Sequence, residues 1–129
     1  MKSFGAETVL FMTWGRRFGD TEIGFENFET MQEALKEGYT KIANELTLSV
    51  APVGIAWLKA KQKDKDILLW DEDGSHPSIM GTYLTACVFY VLLLKQNPVG
   101  LSYSAGIPKE MARFLQEIAL ESMTINCLK

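Results

Sequence analysis

Residues 71–78 read DEDGSHPS and hold the only histidine of the chain, His76, three residues after Asp73. A carboxylate and an imidazole at this spacing on one loop can supply a general base and the group that orients it. Acyl-transfer chemistry uses such a pair to activate a hydroxyl. The pair is useless without a nucleophile. Serines stand at Ser3, Ser49, Ser75, Ser78, Ser102, Ser104 and Ser122. The stretch GLSYSAG comes near a nucleophile elbow and fails it: Ser102 has Gly100 two before but Ser104 two after, and Ser104 has Gly106 two after but Ser102 two before. Ser3 has no strand before it to hold a strained turn.

A plainer reading stands beside this one. A lone loop histidine is usually a polar surface residue, and Asp73 could cap a helix beginning near Pro77. A metal site on Asp71, Asp73 and His76 is the weakest alternative, since one imidazole between two adjacent carboxylates lacks zinc-site spacing. No metal and no cofactor is expected.

At 129 residues the chain is long enough for one domain, spanning 1–129, with a sizeable core. A net charge of -3 argues against nucleic acid as partner. The lysines of KAKQKDKD (59–66) alternate with aspartates and read as a solvated helix end or loop. Cys87 lies in an apolar run and reads as a small core residue, Cys127 lies near the end of the chain, and neither has metal-ligand spacing. The apolar part of MKSFGAETVLFMTW is too short and interrupted for a signal peptide. The apolar run at 79–94 falls below the ~18 residues of a membrane span. A cytoplasmic chain is the expectation.

The elements that must position the loop alternate along the chain. ETVLFMTW (7–14) predicts a strand buried on both faces. From Thr30 to Leu46, apolar Met31, Leu35, Tyr39, Ile42 and Leu46 fall on one helical face, with Thr30 as N-cap and Glu33 as its capping-box partner. TLSVAPVG (47–54) predicts a second strand, GIAWLKAKQ a short helix, and ILLW (67–70) a strand or loop. Residues 78–95 are apolar on nearly all sides and predict a helix that is deeply buried or at an interface. NPVGLSYSAGIP is a loop, and 109–122 a last helix with Met111, Phe114, Leu115, Ile118 and Ala119 on one stripe. This alternation predicts an α/β domain with parallel strands. Two or three strands are few for so many helices, as in half of a larger design.

The segments LFMTWGRRFGD, MQEALKEGYTKIANEL, VAPVGIAW and DGSHPSIMGTYLTACVFY, with the tail NPVGLSYSAGIPKEMARFLQEIA, resemble the C-terminal half of the SGNH/GDSL hydrolase superfamily. The resemblance covers nearly the whole chain. It implies a three-layer αβα, flavodoxin-like fold, here partial, with two or three strands per chain completed by oligomerisation. It also implies ester or acyl hydrolysis at the C-terminal ends of the strands. Asp73 and His76 would be two triad members, and Pro77 with Ser78 would start the next helix. Trp14, Arg16 and Arg17 would leave the first strand at the active end, lining a substrate pocket or binding an acidic group, though Trp14 equally suits a core and the arginines a solvated face. The family's nucleophile and oxyanion-hole motifs precede the TWGR strand, and this sequence holds none of them. The expectation is therefore an esterase-like protein, weak or inactive alone, or else a non-catalytic oligomerisation or binding module. A homodimer through the strand edge between Thr8 and Thr13, the Ile79–Leu94 helix, or both would cover the exposed apolar surface.

Overall fold

In a computed structural model of the chain, residues 5–126 are described. Ser3 and Cys127 lie outside the described residues. Two short strands, β1 (Val9–Phe11) and β2 (Ser49–Ala51), pair in parallel with Val9 opposite Ser49 and Phe11 opposite Ala51. The crossover between them is α1 (Phe28–Leu46), followed after β2 by α2 (Val53–Lys63), α3 (Ile79–Leu94) and α4 (Lys109–Asn126). Both α1 and α3 contact β2. This is a partial α/β fold with a small parallel sheet and four helices.

The first strand is shorter and less buried than its apolar run suggests, with Phe11 39% exposed. Among the described residues β1 has one sheet neighbour, β2, so no second strand covers its other edge. Phe11 instead packs edge-on against Phe89 of α3 and against Trp14.

Helix α1 begins two residues before the expected cap. Asn27 Oδ1 accepts the backbone N–H of Thr30 at 2.8 Å, and Glu33 reaches forward to Lys36 instead of back. Asparagine caps as well as threonine does, and Phe28 gains burial by joining the first turn. The buried face runs through Phe28, Gln32 and Ala43, while Ile42 and Leu46 are 44% and 59% exposed. The inward stripe is therefore rotated by about a residue from the most apolar one, because the sheet is too small to cover it. In α4 the expected stripe holds: Leu115, Ile118 and Ala119 are buried, and Met111 and Phe114 pack against the core.

Residues 67–70 are irregular, with Ile67, Leu69 and Trp70 buried and a single antiparallel bridge from Trp70 to Pro77. The cap of α3 is Ser78, whose Oγ accepts from the Gly81 N–H and donates to the Leu68 carbonyl at 2.7 Å. Pro77 thus precedes the cap and is not in the first turn, and Asp73 does not cap the helix. Gly81 is required by closeness: a Cβ there would overlap the Leu69 carbonyl and the Trp57 ring. The centre of α3 is buried at Leu84, Cys87 and Val88, and its exposed apolar residues sit at the ends, Ile79, Leu93 and Leu94. The lysine stretch ends α2 and enters a solvated loop, where Lys63 pairs with Glu121 at 2.9 Å on the surface. No helix is long and apolar enough to cross a membrane among the described residues.

Candidate acid–base site

The DEDGSHPS segment folds back on itself. Ser78 donates its N–H to Leu69 at 2.9 Å, Asp71 donates to the His76 carbonyl at 2.8 Å, and Gly74 closes a turn onto the Asp71 carbonyl at 2.9 Å. Gly74 has φ +70°, a left-handed conformation that favours glycine. At the tip, Asp73 Oδ1 accepts the backbone N–H groups of Ser75 and His76, both at 2.9 Å. Its second oxygen, Oδ2, faces His76 Nδ1 at 2.5 Å. An aspartate bonded to the backbone two and three residues on is an Asx-type turn. Here that turn leaves one carboxylate oxygen aimed at the imidazole.

The electrostatics follow from these contacts. The His76 ring, and then the two backbone N–H groups, pull the Asp73 carboxyl down from 3.8 to about 2. The hydrogen bond His76 donates to Asp73, the charge of Asp73, and the charge of Asp71 raise His76 above its ordinary 6.5. The two side chains are 78% and 50% exposed for His76 and Asp73, so the pair stands in solvent. With Nδ1 committed to the carboxylate, Nε2 is the nitrogen left to take a proton from an incoming hydroxyl.

Beneath the exposed tip lies an aromatic floor. The Trp14 indole N–H donates to the Ser75 carbonyl at 2.8 Å, and the Trp70 indole N–H donates to the Gly15 carbonyl at 3.0 Å. Trp14 stacks face to face on Trp57 with centroids 4.3 Å apart, and Trp57 meets Trp70 edge-on at 5.2 Å. The buried amide of Gln32 accepts from Gly15 at 2.7 Å and donates to the Thr13 carbonyl at 3.3 Å, which holds the chain as it leaves β1. Arg17 donates its backbone N–H to the Gly74 carbonyl at 2.8 Å. The segment after β1 and the histidine loop are therefore stitched together.

Of the residues expected to face substrate, Trp14 is half-buried with its N–H spent on the loop. Arg16 pairs with Asp20 at 3.3 Å on the surface, and the Arg17 guanidinium lies 5.0 Å over the exposed Phe18 ring. Trp57, Trp70 and Gln32 were not singled out from the sequence. Nothing local marks them, because each acts on groups far away in the chain: Trp70 and Gln32 on backbone, Trp57 on the Trp14 and Trp70 rings.

Two of the serine hydroxyls are engaged away from the pair. The Ser78 hydroxyl caps α3, and the buried Ser122 hydroxyl donates to the Ile118 carbonyl within its own helix. Burial pushes the Cys87 thiol up to about 11, so it is a core residue and not a reactive thiol. Asp71, Asp73 and His76 form no metal-binding group among the described residues. A cleft of about 750 Å³ lies between the later turns of α1 and α3, lined by Met12, Ile55, Leu92 and Lys95 among others. No residue of the 71–78 loop lines it, so Asp73 and His76 stand on an open surface and not in that cleft.

No protein-family model matches the chain, and no curated protein matches it. Among solved structures it is similar to a DUF4886 family protein from Bacteroides uniformis ATCC 8492, at 23% identity and a TM-score of 0.80. The match covers 93% of this chain and 49% of that one, so the chain spans about half the length of its solved neighbour. What the likeness shows is a shared fold.

Proposed function

We propose that Asp73 and His76 are the acid–base pair of an SGNH/GDSL-type ester hydrolase, with the nucleophilic hydroxyl supplied from outside the described residues. One observation carries the reading. Both carboxylate oxygens of Asp73 are engaged, one by the backbone and one by Nδ1, which leaves an oriented imidazole open to solvent on a loop bonded to the segment that leaves the C-terminal end of β1. His76 takes the proton of the attacking hydroxyl at Nε2 and returns it to the leaving alcohol. Asp73 holds the tautomer and stabilises the imidazolium. Arg17 and Phe18, beside Gly74, form the lip over which an ester would approach.

The test is hydrolysis of p-nitrophenyl acetate by the chain. A slow rate is expected, rising with pH as His76 loses its proton above 6.5. His76→Ala should remove it, and a serine-directed phosphonate should leave it intact. Equal rates for wild type and His76→Ala would refute the acid–base reading. A phosphonate-sensitive rate would place the nucleophile within the chain.

A second reading, a non-catalytic oligomerisation module, is favoured by the one-sided pairing of β1 and its exposed Phe11. An unpaired strand edge recruits another strand. A homodimer through β1, the Ile79–Leu94 helix, or both is expected in light scattering at micromolar concentration. A stable monomer there rules out this module.

A further inference from the structure

We propose that Trp14 is a positioning residue for the Asp73–His76 pair, acting through the single peptide group that joins Ser75 to His76. That peptide is held at both polar ends. Its carbonyl accepts the Trp14 indole N–H at 2.8 Å, and its own N–H donates to Asp73 Oδ1 at 2.9 Å. A peptide unit is planar, so fixing the direction of the carbonyl fixes the direction of the N–H. Donation into the carbonyl also polarises the amide and strengthens its bond to the carboxylate. With Oδ1 held, Oδ2 is set against Nδ1. The indole is itself held still, stacked within 1° of parallel on the fully buried Trp57. A run of contacts therefore leads from the core, through one planar amide, to the histidine's proton.

Trp70 is a contrast within the same floor. Its N–H reaches Gly15, 61 positions before His76, and touches neither end of the 75–76 amide. The charges that act on His76 are those of Asp73 and Asp71, with Glu72 on the same loop and Arg17 on the segment bonded to Gly74. All of them remain when only the indole N–H is removed. The meaning of this contact for catalysis rests on the acid–base reading above; the contact's effect on the histidine does not.

Trp14→Phe keeps a ring on Trp57 and deletes the N–H. His76, the sole histidine, gives unambiguous imidazole signals in an NMR pH titration. Its pKa in Trp14→Phe is expected to fall from the wild-type value toward that of Asp73→Asn. Trp70→Phe, which loses the bond to Gly15 but keeps the Trp14 N–H and its stack on Trp57, should lower the melting temperature and leave the His76 pKa at the wild-type value. A folded Trp14→Phe protein with a wild-type His76 pKa overturns the proposal. If that variant does not fold, the wild-type protein decides: the Trp14 indole N–H resonance must move as His76 titrates, and a flat signal overturns the proposal. No substrate enters either measurement, so failure of ester hydrolysis and failure of this inference are read separately.

Discussion

Residues 69–78 lead into α3 and residues 95–108 lead out of it, and both segments are irregular chain held by side chains from neighbouring elements. The first is held by Trp14, by the Arg17 backbone and by the Ser78 hydroxyl. The second is held by the buried amide of Gln116, which accepts from Gly100 at 3.0 Å and donates to the Tyr83 hydroxyl at 2.9 Å and the Leu101 carbonyl at 3.3 Å. The Tyr83 hydroxyl in turn donates to the Tyr103 carbonyl at 2.7 Å. Each loop spends buried polar groups on fixing backbone, and each contains serines and left-handed residues, Gly74 in one and Lys95, Gly100, Ala105 and Gly106 in the other. They differ at the tip. The first ends in a carboxylate paired with an imidazole, while the second ends in the exposed Ser102 and Tyr103. Anchoring makes a loop rigid; a mutually shifted titratable pair is what gives one of them acid–base capacity.

The largest expected effect erases the contrast by removing what lies under the first loop. Trp57 is fully buried and touches both Trp14 and Trp70. Trp57→Ala should cost about 3–5 kcal/mol in denaturant unfolding. A smaller loss would mean that the floor collapses to fill the space. Next, Gln116→Leu should loosen only the second loop. It strands the Gly100 N–H and one side of Tyr83, for a loss of roughly 1–3 kcal/mol. Hydrogen exchange should quicken around 100–103 while the His76 titration stays as in wild type. A changed His76 pKa would show that the two loops are coupled through α3.

The smallest effect on stability belongs to Asp73→Asn, since the pair is exposed, but it is the sharpest on chemistry. His76 should titrate closer to 6.5. The sign of the stability change follows from the two shifts. The raised His76 contributes stability fully below 6.5 and loses it as pH rises through its folded value. The depressed Asp73 contributes above 3.8 and loses it as pH falls through about 2. The difference between wild type and variant should therefore peak between pH 3.8 and 6.5 and shrink on either side. A difference that fails to shrink both below pH 3.8 and above pH 6.5 would mean that the two side chains do not interact in solution.

Much of the acid–base tip can be read from the sequence because it is local. The Asp73–Gly74–Ser75–His76 turn needs bonds spanning only two and three residues, so the spacing itself builds it. The same holds for the stripe of α4, a matter of periodicity, and for the small apolar role of Cys87. Helix starts are not settled by local pattern. Asn27 and Thr30 are both good caps, and the choice fell to burial of Phe28, which local pattern does not reveal.

Tertiary structure alone decided how the pair is supported and where it faces. Trp14 reaches Ser75 across 61 positions, Trp70 reaches Gly15 across 55, and Gln32 turns inward from a helix whose more apolar residues turn out. No spacing rule encodes such contacts, because they depend on which surfaces the packed helices bring together. The sequence by itself determined a carboxylate and an imidazole on one turn. Packing determined that this turn is clamped from below by a stacked indole and open to solvent above, since only the folded chain places a residue from the end of β1 beneath it.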